Sequence, residues 1–313
     1  MSNINNTLEY ILSSAEREED FILECEAKYN NKINRIASNI AESGVSEIVM
    51  IAGPSSAGKT TTAKKLRKAL SENGINSFTV SLDDFYLDNK DAPRFPDGTP
   101  DFETVHCLDI KCFQEKMKKL LLEGEADLPE FDFIKGERKK EYNHLKISSN
   151  DVIIVEGLHA LNPIITDNLP QDRLLKIYIN VSSRIYDAKG DIVFNKRNMR
   201  FIRRMVRDFK FRGSSVENTY KLWVSVCYGE DTYLFPYKDN ADIKINTIHL
   251  YETCVLREKA IPLLAEVSKD SEFYKDSQRL IRNLQKFPAI DSGKVPEDSL
   301  LREFIGAKEK SNG

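Results

Sequence analysis

The stretch IAGPSSAGKTTTAKKL, residues 51–66, decides how the rest of the chain is read. Gly53, Gly58, Lys59 and Thr60 fit the spacing G-x-x-x-x-G-K-[ST] without a gap. The apolar run EIVMIA (47–52) precedes it, and TTTAKKLRKAL follows with Ala63, Leu66 and Leu70 on one helical stripe. A strand, a loop of small residues and a helix, in that order, solve one chemical problem: how to hold a polyphosphate. Glycines let the backbone curl so that its N–H groups point inward, and the helix N-terminus adds partial positive charge. The cradle is read as Gly53, Pro54, Ser55, Ser56, Ala57, Gly58, Lys59, Thr60 and Thr61. Lys59 is expected to reach the outer phosphates and the Thr60 hydroxyl to ligate Mg²⁺.

Composition narrows what surrounds this loop. The chain has 313 residues, room for one large domain or two small ones, and 41% of them are hydrophobic. Its net charge is -3, without the basic excess typical of nucleic-acid binders. Cys25, Cys107, Cys112, Cys227 and Cys254 form no C-x-x-C pair and read as reduced thiols of a cytoplasmic protein. The start MSNINNTLEY lacks a basic segment followed by an apolar run, and no apolar stretch is long enough to cross a bilayer. Neither a signal peptide nor a membrane partner is expected.

Outward from the loop, strands and helices alternate. SFTVSL (77–82), DVIIVEG (151–157), LLKIYIN (174–180) and ADIKIN (241–246) read as further strands. Residues 108–122, 198–211, 216–227 and 250–266 read as helices. Such alternation implies an α/β fold, a doubly wound, mostly parallel sheet with helices on both faces. Residues 1–44 are expected as an N-terminal helical arm, with Phe21, Ile22, Ile33, Ile36, Ala37 and Ile40 at helical spacing. The arm reads as packing on the main domain, with a homo-oligomer contact as the alternative. Residues 45–267 form the expected P-loop domain, with a lid at about 196–240, and 268–313 a peripheral helical tail frayed at KEKSNG. Two interruptions, 88–106 and a strand pair around Lys135-Gly136 in 128–147, are placed to carry substrate contacts.

A bound nucleotide does not fix a function, and a switch NTPase, a nucleic-acid-linked ATPase and a small-molecule kinase compete. NKDA (89–92) lacks the final Asp of a guanine-binding N-K-x-D, which weakens the first. VSLDDFYLD (80–88) ends a strand with Asp83 and Asp84, and a carboxylate there can take the proton of an attacking hydroxyl. Asp83, first off the strand, is the expected base. Glu156 closes VIIVEG as the acid of a Walker B strand would, to hold Mg²⁺. His159 nearby reads as a loop or packing residue. KRNMRFIRRMVRDFKFRG (196–213) puts Arg200, Arg204 and Arg207 on one helical face with Arg203 to one side. It reads as a mobile lid closing guanidiniums over phosphates, ahead of a solvated face or a nucleic-acid patch.

GPSSAGKT (53–60), SLDDFY (81–86), PDFE (100–103), EGLHALNP (156–163) and RRMVRDFKFRG (203–213) occur in the order found in uridine kinases. Over about residues 46–266 the chain resembles that branch of the phosphoribulokinase/uridine kinase group. The resemblance implies that Asp83 is general base toward a ribose 5′-hydroxyl, and that Tyr86 and Phe102 line the nucleoside pocket. It sets Glu103 where uridine kinases bind the ribose hydroxyls with an Asp. Arg204, Arg207 and Arg212 become lid residues on ATP and acceptor, and Thr60, Asp83 and Glu156 surround Mg²⁺. Phe131 stands in the acceptor pocket where uridine–cytidine kinases have a Tyr, and Gly136 near a base-contacting His. Ser214 and Leu222 stand where the lid usually has an Arg and a Gln. Each replacement removes a hydrogen-bonding group, typically about 1–3 kcal/mol of recognition when its partner stays buried. The expectation is therefore an ATP- and Mg²⁺-dependent kinase of a small-molecule alcohol, first a nucleoside. A non-nucleoside alcohol or a nucleic-acid-linked ATPase are the alternatives, and Trp223, Tyr233 and Tyr237 are either acceptor contacts or lid packing.

Overall fold

Five short apolar runs assemble into one parallel sheet in the computed structural model, which describes residues 6–43 and 48–308. The strands are β1 (Ile48–Ala52), β2 (Ser77–Ser81), β3 (Val152–Gly157), β4 (Leu174–Asn180) and β5 (Ile243–Asn246). Their order across the sheet is β5-β4-β1-β3-β2, and every neighbouring pair runs parallel. Central β1 and β3 are buried along their whole length, as strands covered on both faces must be. The period of two divides them between layers: Val49 and Ile51 join one core, Ile48 and Met50 the other.

The longer helices, in chain order, are α1 (Leu8–Ala15), α2 (Glu18–Ser43), α3 (Lys59–Glu72), α4 (Ile110–Glu123), α5 (Lys196–Arg212), α6 (Val216–Gly229), α7 (Glu252–Ala265) and α8 (Tyr274–Leu284). Phe113, Met117 and Leu120 of α4 cover one face of the sheet. Ala63, Leu66 and Leu70 of α3 cover the other, together with α2, α5, α7 and α8. Caps explain the shifted ends. The Asp109 carboxylate accepts from Cys112 N–H at 3.0 Å, so α4 starts at Ile110. Asn195 and Asn198 exchange capping bonds, so α5 starts at Lys196. The strand pair around Lys135-Gly136 is two nested antiparallel pairs: Phe131–Asp132 with Glu137–Arg138, and Glu125–Leu128 with Asn143–Lys146.

α2 lies along α3, where the Tyr29 hydroxyl meets Thr62 Oγ1 at 2.7 Å and Lys65 donates to Asn30 at 2.9 Å. Gly44, expected to end the arm, lies outside the described residues. The C-terminal segment corrects an expectation. It is not peripheral: Leu280, Leu284, Phe287, Val295, Leu300, Leu301 and Phe304 are buried in the main core. The polar composition of this stretch hid them, because only α8 shows helical periodicity and the rest are spaced irregularly over turns and short helical turns. The fraying expected at 308–313 falls almost wholly outside the described residues. Among the described residues no helix is long and apolar enough to cross a membrane.

Candidate active site

The loop after β1 turns sharply. Ser56 has φ 59°, the one positive value among described non-glycine residues, and Gly58 has φ 90°. A side chain at position 58 would also meet Leu300 Cδ1 at 2.5 Å, so glycine is required twice over. α3 then starts at Lys59 without a side-chain cap. Its first intrahelical bond runs from Thr62 N–H to Gly58 O at 2.9 Å, which leaves the Gly58, Lys59 and Thr60 amides to meet a ligand, whereas Ala57 N–H is bonded to Pro54 O at 3.1 Å.

Two arginines pin the loop from behind. Arg200 donates to Ser55 O at 3.0 Å and grips Glu230 through two bonds of 2.6 and 2.8 Å. Glu230 also accepts Ser55 N–H at 2.8 Å. Arg203 donates to Ser56 O at 3.2 Å, to Thr247 O at 2.9 Å and to Glu252 at 2.5 Å. All four charged side chains are at most 1% exposed. This corrects the sequence reading of the helix, because Arg200 is a buried structural residue rather than a partner of Arg204 and Arg207 on an open face. Nothing in one-dimensional spacing marked Glu230; a π-helical turn over Glu230–Leu234, following α6, carries it to the loop.

In front of the loop lies a cleft of about 250 Å³. The cradle contributes Ser55, Ser56, Gly58, Lys59 and Thr60, and the strand ends contribute Asp83, Tyr86 and Glu156. Glu103 enters from the 88–106 loop and Arg204, Arg207 and Arg212 from α5. Gly53, Pro54 and Ala57 are buried beneath the curl, and Lys59 Nζ donates back to Gly53 O at 3.0 Å. Thr61 donates to Glu303 at 2.6 Å, and that carboxylate also lines the cleft. Phe102 stands beside the cleft, its carbonyl accepting from the Tyr86 hydroxyl at 3.3 Å. Phe131 is buried against Tyr86, with ring centroids 5.8 Å apart. Trp223 packs on Phe201 and under Arg200, and Tyr233 packs on His159, so neither lines this cleft. Tyr237 packs against the second core.

Sequence reading also missed Asp208. This carboxylate is buried and gathers Arg204, Arg207 and Arg212 at 3.1, 3.1 and 3.4 Å. Arg204 also donates to Ser55 Oγ at 2.9 Å. One acid thus aligns three cations toward the phosphate side of the cleft.

Burial governs the acids opposite. It pushes the Glu156 carboxyl up to about 7, against the pull of Lys59, and Glu103 up to about 6, against Arg204. Desolvation also raises Asp83, opposed by Lys59 and Arg212, and the water reaching its exposed edge moderates that rise. Thr60 Oγ1 and Ser81 Oγ both lie on Glu156 Oε1, at 3.3 and 3.4 Å. Hydroxyl and carboxylate oxygens are hard donors, and a buried acid with so high a pKa is one that a cation would stabilise, so this set fits Mg²⁺. Among the described residues no three His, Cys, Asp or Glu converge on one point. Mg²⁺ commonly shares its coordination with phosphates and water. The free amides, Lys59 and the three arginines fit a polyphosphate.

Sheet order and cradle make this a P-loop fold, with a basic helix opposite the acidic strand ends. Residues 48–253 match the Phosphoribulokinase / Uridine kinase family, and the chain belongs to it. A uridine kinase of Lactobacillus helveticus is 30% identical over 199 residues, 63% of this chain and 84% of that protein. One of Borrelia duttonii is 31% identical over 201 residues, 64% of this chain and 85% of that protein. A solved chain described as a possible uridine kinase from Bacillus stearothermophilus is 18% identical, with a TM-score of 0.46 over 69% of this chain and 97% of that one.

The two kinds of arginine should separate on mutation. Arg200→Ala leaves Glu230 charged and buried, and is expected to cost about 3–5 kcal/mol in denaturant unfolding. Arg207→Ala should change stability by less than about 1 kcal/mol. For Glu156, a folded-state pKa raised from 4.5 to about 7 gives stability that is fully present below 4.5 and lost as pH rises through 7. Urea midpoints without nucleotide or Mg²⁺ should therefore fall across that window by more in the wild type than in Glu156→Gln.

Proposed function

We propose that this member of a phosphotransferase family moves the γ-phosphoryl group of ATP to the 5′-hydroxyl of a nucleoside, with Asp83 as general base. The observation that carries the reading is one cleft shared by the cradle lysine, three aligned arginines and a strand-end carboxylate. Little covalent chemistry is asked of the protein in phosphoryl transfer; positioning and charge neutralisation dominate. Lys59 draws the outer phosphates to the loop. Arg204, Arg207 and Arg212, held by Asp208, neutralise charge on the group in transit. Asp83 accepts the hydroxyl proton as the acceptor attacks. Mg²⁺, held by Thr60 and Glu156 with Asp83 nearby, would supply further charge neutralisation when bound.

The acceptor side favours an uncharged molecule with a flat ring. Asp83 and Glu103 would repel a phosphorylated sugar there. Tyr86, Phe131 and Phe133 form an aromatic cluster with centroids 5.1–6.3 Å apart, and Phe133 is 65% exposed. Such a face suits a stacked base. Glu103 can accept from ribose hydroxyls, and Gly229 lets α6 approach it so closely that a Cβ there would lie 2.3 Å from Glu103 Cβ. The name uridine kinase carried by the relatives supports a nucleoside. A second reading, another alcohol, draws on Phe131, whose ring offers no hydrogen bond to a base. A nucleic-acid-linked role loses support because Arg200 and Arg203 are buried and cannot touch a phosphodiester backbone.

Asp83→Asn should lower kcat by about 10²–10⁴-fold while calorimetric ATP binding persists. An unchanged kcat removes Asp83 from the base role. Product masses from a panel of nucleosides and small alcohols incubated with ATP should show a phosphorylated nucleoside; phosphorylation of only the other alcohols selects the second reading.

A further inference from the structure

The C-terminal segment lies beyond the family match at residues 48–253, yet it puts a carboxylate in the phosphate cleft. Glu303 sits on the short helix Arg302–Ile305 and accepts the Thr61 hydroxyl at 2.6 Å. Its support is firm on every side. Leu300 fills the space that a side chain at Gly58 would need. The Ser299 hydroxyl lies 3.1 Å from that of Tyr251, which donates to Glu26 of α2 at 2.6 Å. Phe304 packs beneath the Arg203 guanidinium, and Lys210 donates to Ile305 O at 2.8 Å. Arg302 ties the preceding turn through the carbonyls of Ser292 and Pro296. A segment so held is a wall of the cleft rather than a flap.

Consecutive helix residues point about 100° apart. At the start of α3, Thr60 meets Glu156 on the acceptor side and Thr61 meets Glu303 on the other. The two acids therefore have different neighbours. An ionised carboxylate only accepts hydrogen bonds, and so do phosphate oxygens. With the metal placed at Thr60 and Glu156, Glu303 gains from the nucleotide's own atoms only through its hydroxyl or amino donors. The amides of a P-loop hold the inner phosphates, and the ribose, one ester bond further out, brings the nearest hydroxyls.

We propose that Glu303 recognises a ribose hydroxyl of the donor nucleotide, so that the C-terminal segment completes a donor site left open by the family core. The proposal rests on the nucleotide-donor reading above. Calorimetry with the full chain, Mg²⁺ and no acceptor compares ATP with 2′-deoxy-ATP and 3′-deoxy-ATP. The wild type should bind ATP about tenfold tighter than at least one deoxy analogue, the size of one hydrogen bond to a charged group. Glu303→Ala should bring that ratio to about one. Glu303→Gln, which keeps the shape and an acceptor for Thr61, should bring it below about threefold, with melting temperatures reporting that both variants fold. A loss of fold stability alone would not change a ratio between analogues. Equal wild-type affinities for all three nucleotides, or a ratio that survives in both variants, overturns the role of Glu303 and leaves the donor reading standing. Variants that bind every nucleotide more tightly with the ratio unchanged make Glu303 a repulsive group and overturn it as well. If the wild type binds no ATP, both readings fail.

Discussion

Two backbone carbonyls, those of Ser55 and Ser56, are held by buried guanidiniums, and the cradle depends on that restraint. A trans peptide is planar, with C=O and the following N–H pointing in opposite directions. Fixing the Ser55 carbonyl on Arg200 therefore turns the Ser56 amide away from the helix behind it, toward the cleft. The left-handed backbone of Ser56 is costly for a residue with a Cβ and persists only where surroundings over-determine it. Arg200, Arg203 and their acids supply those surroundings.

The same restraint divides α5. Its N-terminal half is pinned by Arg200 and Arg203, whose partners Glu230 and Glu252 are wholly buried. Its C-terminal half faces the cleft, where Asp208 holds three guanidiniums in mutual repulsion that open solvent would otherwise relax. A buried pair adds little net stability but makes separation expensive, since either charge left alone is poorly solvated. Closure by rigid rotation of α5 would break both pairs. On the reading proposed above, any motion over a nucleotide would fall to the end of the helix, where Arg212 is 59% exposed and Gly213 is the left-handed cap.

What could be read from the sequence follows the range of the interactions involved. The phosphate loop is local: its glycines, Lys59 and Thr60 lie within eight residues, and the flanking strand and helix announce themselves by period. All five strands of the sheet were legible for the same reason, to within a residue or two. Asp83 and Glu156 follow from the rule that parallel strands end at the ligand crevice. Glu230 and Asp208 do not, because their meaning comes from partners across the fold: Ser55 is 175 residues from Glu230. Helical spacing grouped Arg200 with Arg204 and Arg207 correctly as angles on a wheel. It could not tell which side of that wheel would be roofed by α6 and the turn after it. Glu303 is the extreme case, 242 residues from Thr61 on a stretch whose apolar residues show no period.

The termini then account for how a short loop can be so tightly determined. α2 reaches α3 through Tyr29 and Thr62, the C-terminal segment reaches it through Leu300 and Glu303, and Tyr251 joins the two through Glu26 and Ser299. These contacts bracket the first two turns of α3 on the side away from the acceptor. A polyphosphate site gains from this because its amides must already converge before the ligand arrives; reorienting them on binding would subtract from affinity. The face proposed for the acceptor is less braced: Phe133 is 65% exposed and Phe102 40%, both on loops. On the proposed reading, rigidity is concentrated at the donor phosphates, while the face that would discriminate among acceptors is built from loop-borne rings. The family's shared phosphate chemistry and its varied alcohols can be reconciled on one sheet by that separation.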